Sequence, residues 1–299
     1  MTVPKLTGIS WFTRMEEGTN RYDRDHKSVE AYMQGSGQAD ANAQVRVIED
    51  LLASGVESLA VVPFQPAAVE PVLGEAMAQD VVVVTHEAPD IKNAHWDVEA
   101  FRNEEYGINL MKELAQRMGE EGQYAVMVGS LSSATHMEWV KAAIAYQKQN
   151  YPKMQQVGDI IETADDSQIA YERMQELLSA YPKLEGVQGS ASTDVVGVGQ
   201  AVQEAGLQDE VSVVGTSTPN DARRGLGNGS IDLITFWDPA DAAYAMNVVA
   251  RTIIDGKKVT DGMDLGVTGY RDISTEGRVI YGDKAWITVT EDNVDEYDF

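Results

Sequence analysis

The feature that most constrains this chain is a series of short, unbroken apolar runs separated by segments of helix length. "SLAVVPF" (58–64), "DVVVVTH" (80–86), "YAVMVGS" (124–130) and "VSVVGTS" (211–217) are rich in valine and show no polar alternation. A strand with one wet face alternates apolar and polar residues, whereas a strand covered on both faces does not. Strand-like runs also stand at "KLTGISWF" (5–12), "SVEAYMQ" (28–34), "QVGDIIE" (156–162), "LEGVQGS" (184–190) and "DLITFWD" (232–238). Helical segments lie between them at 40–55, 67–79, 104–119, 136–152, 166–182 and 193–206. Asp40 is placed to cap the first and Gly55 to end it. In the third, Tyr106, Leu110, Leu114 and Met118 fall on one face. Repeated β-α units of this kind imply parallel sheets, right-handed crossovers and helices on both faces.

About four such units precede residue 98 and about four follow before residue 235, so two doubly wound sheets suit the domain-size range better than one. The stretch "DLGVTGYRDISTEGRVIYGDKAWITVT" (264–290) is strand-like, without a clear helix, and reads as edge strands with a return crossing. No long low-complexity linker is present, so short hinges are expected to join the domains. The expected division is 1–103 plus 237–267 for an N-terminal α/β domain and 104–236 plus 268–299 for a C-terminal one, with a three-crossing hinge.

Charge and composition narrow the function. The 48 acids exceed the 23 bases, for a net charge of −25. Such a surface repels nucleic acid and anionic membrane, so neither is expected as a partner. Cysteine is absent, which excludes disulfides, thiol catalysis and thiolate metal sites. No apolar run is long enough to span a bilayer. The first residues already read as strand, so the chain reads as cytosolic or as a mature form whose export leader has been removed.

In parallel α/β sheets, ligands gather at the carboxyl ends of the strands. The expected strand ends carry Trp11 and Phe12; Pro63, Phe64 and Gln65; His86 and Glu87; Ser130, leading to His136; Ser190, Ser192 and Asp194; Thr216, Ser217 and Thr218; and Phe236, Trp237 and Asp238. Enzyme signatures are weak. "GVGQAV" (197–202) lies inside a helical segment, where its glycines permit close packing and do not cradle a dinucleotide. His26, His86, His95 and His136 lack metal-ligand spacing, and no GxSxG elbow is present. No cofactor and no metal are expected. Glu87 and Asp238 are the two acids that could act as a glycosidase pair. Aromatic rings, hydroxyls and single carboxylates are instead what a sugar needs: a flat wall for its C–H face, and short directional partners for its hydroxyls. Trp139, within "EWVKAAIAY", reads as helical core. His136, at the start of that helix, could turn a ring N–H to a hydroxyl or serve the helix end.

With these residues in view, the whole chain resembles the type I periplasmic sugar-binding proteins of ABC importers, the ribose/galactose-binding group. "WFTRMEEG" is similar to that family's first strand-to-helix junction, where two aromatics line the sugar cleft. "VVVVTHEAPD" resembles the strand that ends in a hydroxyl-binding acid, with Glu87 in that place and Ala88 where an Arg is usual. "SVVGTSTPND" resembles a Val-Gly-x-Asp/Ser-x-Pro turn, with Ser217 at the Asp/Ser position. "FWDPADAAYA" is similar to the Gln/Trp-Asp-Pro segment that enters at the third crossing.

The nearest likeness is to the rhamnose and autoinducer-2 subgroup, carried by "PKLTGISWF", "HMEWVKAA", "TSTPND", "FWD" and "NVDEYDF". Lys5 and Glu87 fall on autoinducer-2 contact positions, Glu replacing the usual Asp. Thr135 and His136 replace an Asp-Gln pair, and Ser190 and Ser192 replace Pro and Ala. These departures point to another small sugar or polyol, with autoinducer-2 and a sugar-processing α/β enzyme as alternatives. A sugar-responsive regulator core shares the fold but would need a DNA-binding segment and a basic face.

The resemblance implies a monomeric solute-binding protein whose cleft closes on the ligand and whose closed form an ABC permease recognises. It works in a periplasm or lipid-anchored outside a one-membrane cell, and a chemoreceptor is a further compatible partner. The implied ligand residues are Lys5, Trp11, Phe12, Phe64, His86, Glu87, His136, Ser190, Ser192, Ser217, Trp237 and Asp238, with no catalytic residue. Truncating Trp11 or Glu87 is expected to weaken sugar binding with little loss of stability.

Overall fold

The computed structural model describes residues 2–282 and 285–299. Two compact units divide the chain: Met1–Arg102, Ser132–Thr135 and Trp237–Trp286 form the first, and Asn103–Leu131, His136–Phe236 and Ile287–Phe299 the second. The first unit contains β1 (Thr2–Val3), α1 (Ser10–Asp25), α2 (Ala41–Ser54), β2 (Ser58–Val61), α3 (Pro66–Ala78), β3 (Val82–His86) and β4 (Trp96–Glu99). The second continues with α4 (Asn103–Arg117), β5 (Glu121–Val128), α5 (Ala134–Asn150), β6 (Lys153–Gln156), β7 (Ile161–Glu162), α6 (Ser167–Ala180), β8 (Leu184–Gly189), α7 (Asp194–Ala205), β9 (Ser212–Thr216), α8 (Pro219–Asn228) and β10 (Leu233–Phe236). The chain then returns to the first unit for α9 (Pro239–Ile254), β11 (Ser274–Glu276) and β12 (Val279–Tyr281), and ends in the second with β13 (Ile287–Val289).

The sheet of the first unit has the order β1-β2-β3-β4-β12-β11. Its pairs are parallel except the β11–β12 hairpin. On one face, Ile48 and Leu51 of α2 and Val69 and Leu73 of α3 pack against Leu59, Val61 and Val83. On the other, α9 crosses β2, β3 and β4 and packs along α1. In the second unit the order is β13-β10-β9-β8-β5-β6, with β7 also on β5. All its pairs are parallel except β13 with β10. Met111 and Leu114 of α4 and Val140 of α5 meet Tyr124, Val126 and Val214 in a buried core. On the opposite face, α7 lies on β8 and β9 and packs against α6. Gly197 makes this packing possible, because a Cβ there would strike the backbone of Ser167 in α6. Of the two glycines of "GVGQAV", Gly197 therefore serves helix packing, and Gly199 makes room for Ile231.

The structure corrects three expectations. The strand expected at 5–12 ends at Val3, and Trp11 and Phe12 lie in the first turn of α1. Gly8, at φ 91°, turns the chain out of its extended path. The buried residues Trp11, Phe12, Met15, Gly18, Thr19 and Tyr22 then follow a helical stripe, so both aromatics belong to that period and not to a strand. The expected strand at 28–34 makes a single bridge, Met33 to Thr2. The residues 268–286, expected in the C-terminal domain, belong to the first unit, because β12 pairs with β4 from Val279–Asp97 to Tyr281–Glu99.

Candidate functional site

In the first unit the strands' carboxyl ends carry Lys5, Phe64, His86 and Glu87, with Trp11 and Phe12 on α1 and Trp237 and Asp238 at the start of α9. β1 lies between Met33 and β2, so the strand order runs outward from it to both sides, which makes it the topological switch point of the sheet. Gln44 of α2 secures this point. Its amide donates to the Pro4 carbonyl at 3.0 Å and the Val62 carbonyl at 2.8 Å, and its oxygen accepts from the Phe64 N–H at 2.9 Å. One buried side chain thus ties together the exits of two neighbouring strands.

Glu87 follows β3 in a left-handed conformation, φ 59°, which is uncommon for a residue with a long side chain. Backbone of this kind persists only where surroundings enforce it, and it concentrates at functional sites. The turn is enforced by Asp97 on β4, whose carboxylate accepts from Thr85 Oγ1 at 2.7 Å and from the Ala88 N–H at 3.2 Å. Burial raises the Asp97 carboxyl above its ordinary value, and hydrogen bonds with Thr85 and Glu99 oppose that shift. The Glu87 carboxylate reaches Lys5 Nζ at 2.8 Å, in a pair almost wholly out of solvent.

His86 is 0 % exposed and its ring is oriented by two neighbours. Nδ1 faces the Val98 carbonyl, which can only accept, and Nε2 faces Trp237 Nε1–H, which can only donate, at 3.1 Å. The ring is therefore the neutral Nδ1–H tautomer. It holds the Trp237 indole in place, and its nitrogens are spoken for. Trp237 in turn meets Trp11 edge-on at 4.7 Å and Phe101 at 5.3 Å, and Phe101 meets Trp286 at 5.4 Å. Asp238 caps α9 through the Ala240 N–H and takes a two-pronged contact from Arg14, at 2.9 and 2.7 Å. Trp11, Phe12, Phe64 and Trp237 are all buried. Trp11 and Glu87 are both buried, so truncating either is now expected to cost stability as well as any ligand binding.

In the second unit, β5 lies between β6 and β8, again the point from which the strand order runs to both sides. Ser190, Ser192 and Ser217 occupy the loops after β8 and β9, and Ser217 Oγ donates to the Ser192 carbonyl at 2.7 Å. Asp194, at the start of α7, fixes the first loop. Its carboxylate accepts from Thr163 Oγ1 at 2.6 Å and from the N–H groups of Ser190 and Ala191 at 2.9 and 2.8 Å. Burial pushes its pKa up to about 7, against those three hydrogen bonds. Asp165, at φ 54°, places its carboxylate where a Cβ on Gly129 would stand. His136 lies in α5, accepts from the Gly129 N–H at 3.2 Å and tilts against Trp139 at 5.2 Å. Trp139 is core, with its Nε1–H donating to Asn103 at 2.7 Å. The hydroxyls of Ser190, Thr193 and Thr218 are buried without a hydrogen-bond partner, as is the Gln188 amide on β8.

Several site residues escaped the sequence reading. Gln44 had a signal, since it sits on the buried stripe of α2 with Ala41, Ile48 and Leu51, where an apolar residue is the norm. Asp97 and Glu99 had a weaker one, as two acids on the same face of a short strand. Phe101, Arg14 and Trp286 had none, because only the fold carries them to Trp237 and Asp238.

Among the described residues there is no cluster of His, Asp and Glu that could hold a metal, and no helix long and apolar enough to cross a membrane. Comparison with known proteins gives a family. A model described as "periplasmic binding protein domain" matches residues 1–258. A D-ribose/D-allose-binding protein of Pseudomonas aeruginosa is 24% identical over 230 residues, covering 71% of this chain and 68% of the relative. A xylitol-binding protein of Mycolicibacterium smegmatis is 25% identical over 259 residues, covering 84% and 70%. The fold matches LsrB from Clostridium saccharobutylicum in complex with AI-2, at a TM-score of 0.90 and 21% identity, over 100% of this chain and 99% of that one. It also matches an ABC transporter solute-binding protein from Clostridium phytofermentans with bound L-rhamnose, at a TM-score of 0.87 and 19% identity, over 99% and 96%. Two α/β units, each with its polar and aromatic residues at the carboxyl ends of a parallel sheet, and a family match over most of the length lead to one conclusion: the chain belongs to the periplasmic binding protein domain family.

Proposed function

We propose that this chain is the solute-binding protein of an ABC importer, that it captures a small neutral sugar or polyol, and that it delivers it to a membrane permease. The observation that carries the reading is the Trp11–Trp237 aromatic wall, held by His86 beside the Lys5–Glu87 pair at the carboxyl ends of β1 and β3. Aromatic faces take the C–H side of a sugar ring, and a carboxylate beside an ammonium group takes adjacent hydroxyls. The second unit carries buried unpartnered hydroxyls on Ser190, Thr193 and Thr218, groups that suit the hydroxyls of a sugar. His86 and Asp238 act in this reading by positioning Trp237 and the start of α9. The sugar- and polyol-binding relatives support the ligand class. The place of action would be outside the cytoplasmic membrane, in a periplasm or lipid-anchored, and a chemoreceptor is a compatible second partner.

Autoinducer-2 is the second reading. The Lys5–Glu87 pair favours it, because both residues fall on its contact positions by resemblance. The residues Thr135, His136, Ser190 and Ser192 depart from its pattern.

A thermal-shift screen against pentoses, hexoses, deoxysugars, sugar alcohols and autoinducer-2 tests the proposal. A ligand at 100 times its dissociation constant adds about 2.7 kcal/mol of stability. One neutral sugar or polyol that shifts the wild type, shifts Ser190→Ala by about half as much at the same concentration, and is recovered unchanged is the expected result. Conversion of the ligand, or a response to autoinducer-2 alone, overturns it.

A further inference from the structure

A cavity of 330 Å³ opens in the first unit at the end of the sheet opposite to Glu87. It lies where the chain turns from α2 into β2, between the Ser28–Tyr32 segment and the last turns of α9. Its volume falls in the low part of the roughly 300–1,000 Å³ range of small-ligand sites. No residue of the aromatic wall or of the Lys5–Glu87 pair lines it.

Three observations mark it as more than a surface dent. Tyr22 is 1 % exposed, lines the cavity, and has a hydroxyl with no hydrogen-bond partner. A buried hydroxyl without a partner is destabilising, and a ligand or water that supplies one removes that defect. The Tyr22 ring meets Tyr244 of α9 edge-on at 5.2 Å, which places it at the α9 side of the cavity. Asn247, Arg251 and Ile254, at helical spacing on α9, form one wall of the cavity. Finally, Tyr32 and Ile254, two of the large apolar side chains exposed among the described residues, both stand at this cavity.

The charge pattern selects the ligand class. Arg251 is held by Asp255 at 2.8 Å through Nε, and Glu30 and Glu57 stand exposed on the lining. Asp255 on the guanidinium and two further acids on the lining, in a chain of net charge −25, oppose an anion, and the guanidinium opposes a cation. Serine hydroxyls, two carboxylates and a tyrosine face suit a neutral polyhydroxylated molecule. We propose that this cavity is a second, weaker binding site for a neutral sugar or sugar alcohol, separate from the residues at the carboxyl ends of the strands.

Titration with xylitol, D-ribose and L-rhamnose, followed at the Ile254 methyl groups by NMR, tests it. D-ribose 5-phosphate is the charged control. At least one neutral probe is expected to shift Ile254 saturably, in the wild type and equally in Glu87→Ala, with no shift from the phosphate ester. Ser54→Phe, at the exposed end of α2, is expected to abolish the shift by filling the opening while leaving any other binding intact. Tyr22→Phe should weaken it by about fivefold, the worth of one hydrogen bond. The proposal is overturned if Ile254 stays still up to the solubility limit of every neutral probe, if Ser54→Phe leaves the shift unchanged, or if the phosphate ester shifts it more strongly than the sugars. Loss of binding elsewhere in Glu87→Ala bears on the transport reading alone, so the two readings fail separately.

Discussion

The two units share a strand order but not a chemistry. In each, the first strand of the unit has a neighbour on either side, followed in order by the next strands of the chain and closed by a strand that returns after α9. In the first unit the strand ends are occupied by large rings and paired charges that complete one another: His86 with Trp237, Lys5 with Glu87, Arg14 with Asp238. In the second, Asp194 and Thr163 anchor the loops, while the hydroxyls of Ser190, Thr193 and Thr218 stay without partners. The difference teaches that one fold can hold a prebuilt wall and, on its twin, a set of short polar groups whose hydrogen bonds are still to be made. Substitutions in the first unit should therefore register mainly as stability, and those in the second mainly as ligand affinity.

The sharpest way to break this contrast is Trp237→Ala. It removes a 2 % exposed indole from three aromatic neighbours, and a loss of about 3–5 kcal/mol is expected in urea denaturation. A loss under about 1 kcal/mol would mean that the wall is not packed as the prebuilt half requires.

Asp194 gives the largest effect in the second unit, and it shows in pH dependence. Its folded pKa, about 7, lies above the value near 3.9 of an unfolded Asp, so the folded state holds the proton more tightly. Its contribution is full below about pH 4, declines as pH rises, and is lost above about pH 7. Asp194→Asn should flatten that decline by up to the order of 4 kcal/mol between those limits, compared with wild type. The Asn oxygen can still accept from Ser190 and Ala191, and Thr163 Oγ1 also reaches the Val128 carbonyl. Equal slopes for the two proteins would show that burial is not what governs this carboxyl.

Lys5→Met leaves Glu87 buried without that ammonium group and is expected to lose about 3 kcal/mol. Adding Glu87→Leu should recover most of the loss, because the buried charge goes with it. No recovery would show that Lys5 supports the fold by its stem and not by its charge. The smallest change in stability belongs to Ser190→Ala and Thr218→Ala, within about 0.5 kcal/mol, since no bond within the protein is lost. Their effect should appear in ligand titration as an affinity reduced about tenfold, the low end for a hydrogen bond to a buried group. A stability loss above 1 kcal/mol would show that the second unit is as complete within itself as the first.

Much of the fold was legible from local pattern. Val82–His86 and Tyr124–Val128 read as doubly covered strands because every residue in them is buried. Asp40 and Gly55 mark the ends of α2 with a side-chain cap and a left-handed residue, and both signals are local. The passage from Lys5 to Phe12 misled, since its apolar residues fit a strand read forward from Lys5 and a helix read back from Tyr22. The pairing of β12 with β4 was invisible, because nothing near Val279 names a partner about 180 residues away.

The sequence by itself determined the class of fold and the kinds of side chain near the strand ends, for these follow from periodicity and residue type within short windows, and the family came from resemblance along the whole chain. Only the tertiary structure decided which of those side chains remain available. His86 reads as a candidate ligand residue until Val98 and Trp237 are seen to engage its ring, and Thr193 goes unnoticed in the sequence until its hydroxyl is found buried without a partner. The physical reason is that a polar atom's role depends on what already satisfies it, and that is set by neighbours from distant parts of the chain.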